Sequence, residues 1–423
     1  MNENNLQPIS NQPKKIKRLR VLISAYACEP GKGSEPGVGW NFSKEMAKHH
    51  DLWVLTRLNN REIIENEFLE NPTEKLHFIY HDLPKWTAWW KKGGRGVQLY
   101  YYLWQLTAIP KIRKHHKEVG FDISHHVTFV KYWAPSCLAW LDIPFIWGPV
   151  GGGESLPQGF SSECSLKGRI YELLRSLARF FGELDPNVRF TAQRASKCLF
   201  TTRQSAQRLR KIGVQASEQL FESGFSYTDL HILSHLNFPS SPPIRFISVG
   251  RLLDWKGFNL GLRAFAEAAI PDAQYWIVGD GPFRENLERQ VKKMGLEKSV
   301  KFWGLVDRSQ VLGLLGQCHA LIHPSLHDSG GWVCLEAMAA GRPVICLDWG
   351  GPGFQVNHET GFKIYPTSPD QVVTEMAIAM KTWEKDRSII HLKSEAARLR
   401  VRNKFTWSIK TKKLNAIYYQ LTD

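Results

Sequence analysis

The sequence predicts an α/β protein made of two tandem doubly wound, Rossmann-like domains facing each other across a cleft. Three observations carry this. Short apolar or β-branched runs alternate with segments of helical character along the chain, and strands separated by helices imply parallel sheets covered on both faces. The alternation lapses once, in the Ser-, Pro-, Gly- and His-rich stretch 222–243, and then restarts. At 423 residues the chain is also too long for one ordinary domain.

Residues 1–16 read as a disordered, Asn-rich leader. The basic run 14–20 followed by the apolar run 21–28 has the outline of a signal peptide. That run is at the short end of the roughly 7 to 15 residues such a segment needs, and Glu29-Pro30-Gly31-Lys32 follows it. It reads better as a first buried strand, 19–26. The first domain, 17–221, continues with strands at 52–56, 76–80, 121–127, 144–147 and 197–201. After a linker at 222–243 the second domain, 244–404, has strands at 245–250, 274–278, 300–303, 320–323 and 343–347. Helices are expected at 260–269, 284–294, 309–316 and 332–340. The last segment, 405–423, is expected to be a helix that packs back on the first domain.

Composition narrows the function classes. With 43% hydrophobic, 22% charged and 12% aromatic residues, the chain is not disordered, collagenous, a coiled coil or a disulfide-dense mini-protein. A net charge of +15 favours anionic partners. The basic residues are dispersed through both domains and form no recognised module, so nucleic acid is not expected. Cys28, Cys137, Cys164, Cys198, Cys318, Cys334 and Cys346 are scattered, odd in number and without C-x-x-C spacing. That pattern predicts a reducing, cytoplasmic setting and no zinc. No apolar run approaches the roughly 18 to 20 residues of a membrane span.

Several motifs fall at expected strand ends, where doubly wound domains bind ligands. The Gly-rich turn 28–40, with Gly33, Ser34 and Gly37, follows the first strand and precedes a helical stretch at 41–48. Glycines let backbone N–H groups approach a phosphate, although the spacing is not that of a dinucleotide fold. In the second domain Arg251 and Lys256 follow the first strand, where two cations can neutralise a departing diphosphate. Gly281 and Gly304 sit in the next two strand-end turns. In 323–344 the carboxylate of Asp328 precedes a Gly turn containing Gly331, and Glu336 lies on the helix that follows.

This order of residues resembles the retaining glycosyltransferases of family 4 (group 1), which have the GT-B fold and use nucleotide-diphosphate sugars. The resemblance is strongest over 245–364 and weaker over 20–40 and 122–136. It implies that Arg251 and Lys256 hold the donor diphosphate, and that Asp328 and Glu336 occupy the places of the family's paired glutamates. Glu336 would then accept from the ribose hydroxyls while Asp328 lies near the transferred sugar. Two departures stand out: Asp328 is one methylene shorter than the family's Glu, and Ser329-Gly330 replaces the usual Gly-Phe. The resemblance also implies an active-site His at the strand end 122–128. In a strand, His125 and His126 face opposite sides, so one of them reaches the cleft, and His126, with Thr128 on its side, is preferred. Glu154, after Gly148-Pro149-Val150-Gly151-Gly152-Gly153, either touches the acceptor or belongs to a hinge.

The implied activity is retaining transfer of a sugar from a UDP- or GDP-linked donor to a saccharide or polyprenyl-linked acceptor, in bacterial cell-surface polysaccharide or glycolipid synthesis. Asp328, His126, Arg251 and Lys256 are the expected catalytic residues. Gly281, Gly304, Gly331 and Glu336 complete the donor site, and Gly33, Ser34, Gly37, His125, Thr128 and Glu154 form the acceptor or phosphate side. No metal or other cofactor is expected, and a front-face course and a covalent intermediate both stay open. A sugar-nucleotide epimerase of the same fold and a catalytically degenerate subunit are the alternatives. Trp86, Trp89, Trp90, Tyr100 to Tyr102 and Trp104 interleave with Lys91, Lys92 and Arg95. That pattern fits contact with an anionic membrane on the cytoplasmic face, or an aromatic helix in the core beside a basic loop.

Overall fold

The computed structural model describes residues 17–87, 89–91, 96–239 and 242–423. The expected leader 1–16 lies outside them, as do residues 92–95 of the aromatic and basic stretch. The first domain is a seven-stranded parallel sheet of β1 (Arg20–Ala25), β2 (Asp51–Arg57), β3 (Leu76–His81), β4 (Ile123–Thr128), β5 (Phe145–Val150), β6 (Lys197–Phe200) and β7 (Ser217–Gln219), in the order β3-β2-β1-β4-β5-β6-β7. The second is a six-stranded sheet of β8 (Arg245–Val249), β9 (Gln274–Val278), β10 (Val300–Gly304), β11 (Ala320–His323), β12 (Val344–Leu347) and β13 (Gly361–Ile364), in the order β10-β9-β8-β11-β12-β13. In each sheet the strand order reverses beside the first strand, between β1 and β4 and between β8 and β11, and such switch points open a crevice at the carboxyl ends. Central strands such as β4, β5, β11 and β12 are buried along their whole length, which is why β5, β11 and β12 read as largely apolar runs; β4 instead buries Ser124, His125, His126 and Thr128. The strands absent from the sequence reading, β7 and β13, are sheet edges; β7 is the wholly polar Ser-Glu-Gln.

Three expectations need correction. The first helix spans Ser34–Ala47 instead of 41–48, so Gly37 and Gly39 lie inside it. A Cβ on Gly37 would sit 2.0 Å from the Lys32 carbonyl oxygen and one on Gly39 2.2 Å from that of Ala27. These glycines therefore let the helix press against its own loop. The stretch 222–243 is not a bare linker: it contains the helix Tyr227–Ser234 and a β-bridge from Phe225 to Thr406, and Phe221, Phe225 and Leu233 are buried. The aromatic stretch divides, because Tyr100, Tyr101 and Trp104 are core residues of the helix Val97–Val119 whereas Trp86 and Trp89 are exposed. The final helix, Trp407–Thr422, packs Leu414, Ile417 and Tyr418 into one core cluster with Val21, Ile23 and Ile146 of the first domain.

The two domains touch through polar and aromatic contacts. Trp349 Nε1 donates to the Ser155 carbonyl at 2.8 Å, Asn259 Nδ2 donates to Glu163 at 2.6 Å, and Tyr171 stacks on Trp255 at 4.8 Å. These contacts bring the loop after β5 against the loops after β8 and β12.

Candidate functional site

Lys256 lies in a single turn, Asp254–Lys256, that Gly257 closes in the left-handed region at φ 67°. A Cβ on Gly257 would sit 2.1 Å from the Pro324 carbonyl oxygen, so the turn lies directly on the segment leaving β11. This seating brings Lys256 Nζ to 2.5 Å from Asp328 Oδ2. His323 Nε2, at the end of β11, is 3.1 Å from the same oxygen. Asp328 Oδ1 accepts from the Gly330 and Gly331 N–H groups at 3.2 and 2.8 Å. Burial alone would raise the Asp328 carboxyl, but Lys256 and then His323 outweigh it and hold it well below the usual carboxylate range. Asp328 is thus an ionised carboxylate with both oxygens engaged. The Gly331 N–H is thus engaged by Asp328.

Arg251 follows β8 and is exposed, with no ion pair among the described residues. Its loop is positioned by glycine contacts: a Cβ on Gly281 would sit 2.3 Å from the Leu252 carbonyl oxygen, and Gly279 N donates to the Gly304 carbonyl at 2.8 Å. Glu336 is nearly buried on the helix Trp332–Ala339. Its carboxylate accepts from Trp332 Nε1 at 3.0 Å and Arg308 Nε at 3.3 Å, and burial pushes its pKa up despite Arg308. A narrow cavity joins this arrangement to the first domain, with Gly33, Ser34 and Gly37 on one wall and Asp229, Arg308 and Trp332 on the other. The Gly-rich turn and the partners of Glu336 therefore share one space.

The first-domain residues are placed less openly than expected. His125 and His126 do face opposite sides of β4, but neither reaches open cleft. His126 Nε2 is 3.0 Å from Tyr101 Oη and 3.3 Å from Gln105 Nε2, because the helix Val97–Val119 covers that face. Thr128 Oγ1 is held by the Ala27 backbone, donating to its carbonyl at 3.0 Å and accepting from its N–H at 3.1 Å. His125 lies between the Gly148 carbonyl at 2.6 Å and Tyr418 Oη at 2.7 Å. Burial lowers both imidazoles to about 3, so they stay neutral. Glu154, expected to touch the acceptor or to belong to a hinge, faces the interior of the first domain. Fully buried, it accepts from Thr202 Oγ1 at 2.5 Å, Ser205 Oγ at 3.0 Å and the Gly152 N–H at 3.1 Å, and so fastens its loop to the start of the helix Arg203–Lys211.

Several charged groups at the site were missed in the sequence. Glu222 lies against the Gly330 turn, where a Cβ on Gly330 would meet its Oε1 at 2.5 Å. Burial pushes its carboxyl to about 8, with Glu35 adding to the rise. Lys410 on the final helix donates to the Glu222 backbone carbonyl and is lowered by burial to about 7. Lys131 is lowered to about 8 by burial, with Glu35 opposing. Nothing local marks these residues, because chain segments far apart in sequence meet there. A second groove, lined by Arg203, Gln207, Asp348, Lys363 and Arg400, contains neither Lys256 nor Asp328.

Residues 236–409 match the family model described as glycosyl transferases group 1. The chain is 35% identical over 114 residues to the lipopolysaccharide core biosynthesis glycosyltransferase LpsD of Rhizobium meliloti (strain 1021), covering 27% of this chain and 32% of that protein. It is 30% identical over 172 residues to a glycogen synthase of Mycobacterium tuberculosis (strain ATCC 25618 / H37Rv), covering 40% and 41%. The aligned stretches thus span 32% and 41% of these relatives' lengths. Among solved structures, HepE of Anabaena in complex with UDP superposes with a TM-score of 0.62 at 18% identity over 95% of this chain and 100% of that one. A sucrose-phosphate synthase from Thermosynechococcus elongatus gives 0.65 at 18% over 96% and 99%. The architecture is the two-domain, Rossmann-like GT-B fold.

Proposed function

We propose that this chain is a glycosyltransferase that moves a sugar from a nucleotide-diphosphate sugar to an acceptor hydroxyl with retention of configuration. The observation carrying the reading is the Lys256–Asp328 pair at the carboxyl edge of the second sheet, 2.5 Å apart and close to Gly330 and Gly331. Lys256 and the exposed Arg251 take the diphosphate, supplying positive charge as its bond to the sugar breaks. Glu336 accepts from the ribose hydroxyls, exchanging its bond from the exposed Arg308. UDP or GDP carries the sugar, and the acceptor is a saccharide, free or polyprenyl-linked, in synthesis of cell-surface polysaccharide or glycolipid on the cytoplasmic side.

The bond from the anomeric carbon to the β-phosphate oxygen breaks, the bond to the acceptor oxygen forms on the same face, and the acceptor proton passes to the departing diphosphate. Asp328 favours this course over a covalent intermediate: each of its oxygens is already in two hydrogen bonds or ion contacts, so it is a poor nucleophile. His126 supports the cleft wall from behind without touching either substrate.

The test is transfer by the Arg251→Ala and Lys256→Ala variants, with UDP- and GDP-sugars and a panel of saccharide acceptors. A loss of about a hundredfold or more in kcat/KM is expected for each, in line with removing a group that stabilises transition-state charge. Unchanged rates, or a new nucleotide sugar formed without acceptor, would overturn the assignment.

A further inference from the structure

The helix Leu166–Leu184 in the first domain is mounted with its apolar face outward. Leu166, Ile170, Leu173, Leu177, Phe180 and Leu184 follow one line at spacings of three and four, and Leu174 and Phe181 widen it. At 3.6 residues per turn these side chains span an arc of about 120°. All of them are 46% to 73% exposed. The inward face is small and polar. Gly182 lies so close that a Cβ would sit 2.4 Å from Trp133 Cβ, and a Cβ on Gly168 would sit 2.3 Å from Asp254 Oδ2. Arg179 is buried and donates to the Glu154 carbonyl. The helix therefore cannot roll its apolar face inward without breaking these contacts.

The charge distribution selects the occupant. Glu172 and Glu183, the helix's two acids, are turned toward the protein and pair with Arg175 at 3.5 Å and Arg208 at 2.9 Å. The exposed charged residues of the helix, Lys167 and Arg169, are both cationic. A second copy docking here would set cation against cation, with no exposed carboxylate on this helix to answer it. The end of the helix is tied through Asp185 to Tyr102 Oη at 2.7 Å, on the helix Val97–Val119 that follows the exposed Trp86 and Trp89. Among the described residues no helix is long and apolar enough to cross a membrane.

We infer that Leu166–Leu184 is a docking helix for an anionic lipid bilayer surface, lying in the plane of the interface with its leucine and phenylalanine face among the acyl chains and its cations at the head groups. This docking goes beyond the glycosyl-transfer reading and does not depend on it.

The test is sedimentation of the full chain with vesicles of phosphatidylcholine alone or mixed equally with phosphatidylglycerol, without donor or acceptor. The wild-type chain is expected to bind the mixed vesicles. The triple variant Leu173→Gln, Leu177→Gln, Phe181→Gln, which keeps good helix formers at exposed positions, is expected to bind on the order of a hundredfold more weakly. The pair Lys167→Gln, Arg169→Gln should erase part of the preference for phosphatidylglycerol, while Ser176→Gln beside the stripe binds as wild type. Equal binding by the triple variant, or no binding by the wild-type chain, overturns the inference. So does a wild-type dimer that the triple variant converts to monomer without any change in vesicle binding. Transfer to a water-soluble acceptor by the triple variant separates failure of docking from failure of the catalytic reading.

Discussion

Neutralising Asp328 should move nucleotide binding and turnover in opposite directions. Without donor, Lys256 Nζ is 2.5 Å from Asp328 Oδ2, and the side chains are only 22% and 14% exposed. A diphosphate that reaches Lys256 must share the ammonium with this carboxylate. An oxygen hydrogen-bonded to the other side of Nζ lies about 5 Å from the carboxylate, where one pair of like charges costs about 3 kcal/mol at an effective dielectric constant of about 20. Water at the cleft rim removes about half of that, leaving about 1.5 kcal/mol, or about tenfold in Kd. Asp328→Asn retains Oδ1 as acceptor for the Gly330 and Gly331 N–H groups, so the turn keeps its shape. UDP or GDP, whichever is the cognate nucleotide, should therefore bind the Asn variant about tenfold more tightly in calorimetry. Transfer should slow on the order of a hundredfold, since a charge-assisted contact near the sugar is lost. If the variant binds nucleotide no better than wild type, Lys256 is not shared with phosphate and the diphosphate site lies elsewhere.

Two further outcomes follow from neighbouring groups. Gly257→Ala forces a Cβ to 2.1 Å from the Pro324 carbonyl oxygen at a φ of 67°, so denaturant unfolding should show a loss of about 2 to 3 kcal/mol, together with weaker nucleotide binding because the Lys256 turn is displaced. Glu222 is raised by burial to about 8 from an ordinary value of 4.5. A carboxyl raised in the folded state contributes stability that is full below about pH 4.5 and is lost as pH rises through about 8. Glu222→Gln should accordingly match wild type in Tm near pH 5 and exceed it by about 2 to 4 °C at pH 9, the difference growing between these limits; a difference independent of pH would show that Glu222 ionises normally.

The sequence already contained most of the fold, for a physical reason. Strands buried on both faces are largely apolar, so β1, β5, β8, β11 and β12 announce themselves, and the Gly turns at their ends mark where the chain must pass close to its own backbone. An edge strand carries no such requirement, and the polar β7 is indistinguishable from loop. On the second-domain side part of the arrangement is local: Asp328 takes its two N–H partners from residues two and three positions on, and His323 is five residues away, whereas its pairing with Lys256 spans 72 residues and is made only by the fold. The side-chain partners of the first-domain histidines are distant in sequence. Period-two alternation correctly separates His125 from His126, but it cannot say that Tyr101 and Gln105 will close over one and Tyr418 over the other, since those partners are 21 to 293 residues distant.

The same distinction explains why the docking helix was passed over while the tryptophan stretch drew attention. A heptad-like line of leucines ordinarily marks the face a helix buries, and Leu166 to Leu184 read alone would be placed with that face inward. What reverses it is a set of long-range constraints: Gly168 against Asp254, Gly182 against Trp133, and Arg179 on the Glu154 carbonyl. Conversely, Tyr100, Tyr101 and Trp104 have the composition of an interfacial belt, yet they fill the core because their hydroxyl and indole groups find partners there, Asp82 for Tyr100, His126 for Tyr101 and the His81 carbonyl for Trp104. Aromatic density identifies groups with an apolar body and a polar tip, whereas which face meets lipid depends on where the backbone contacts leave no room to turn.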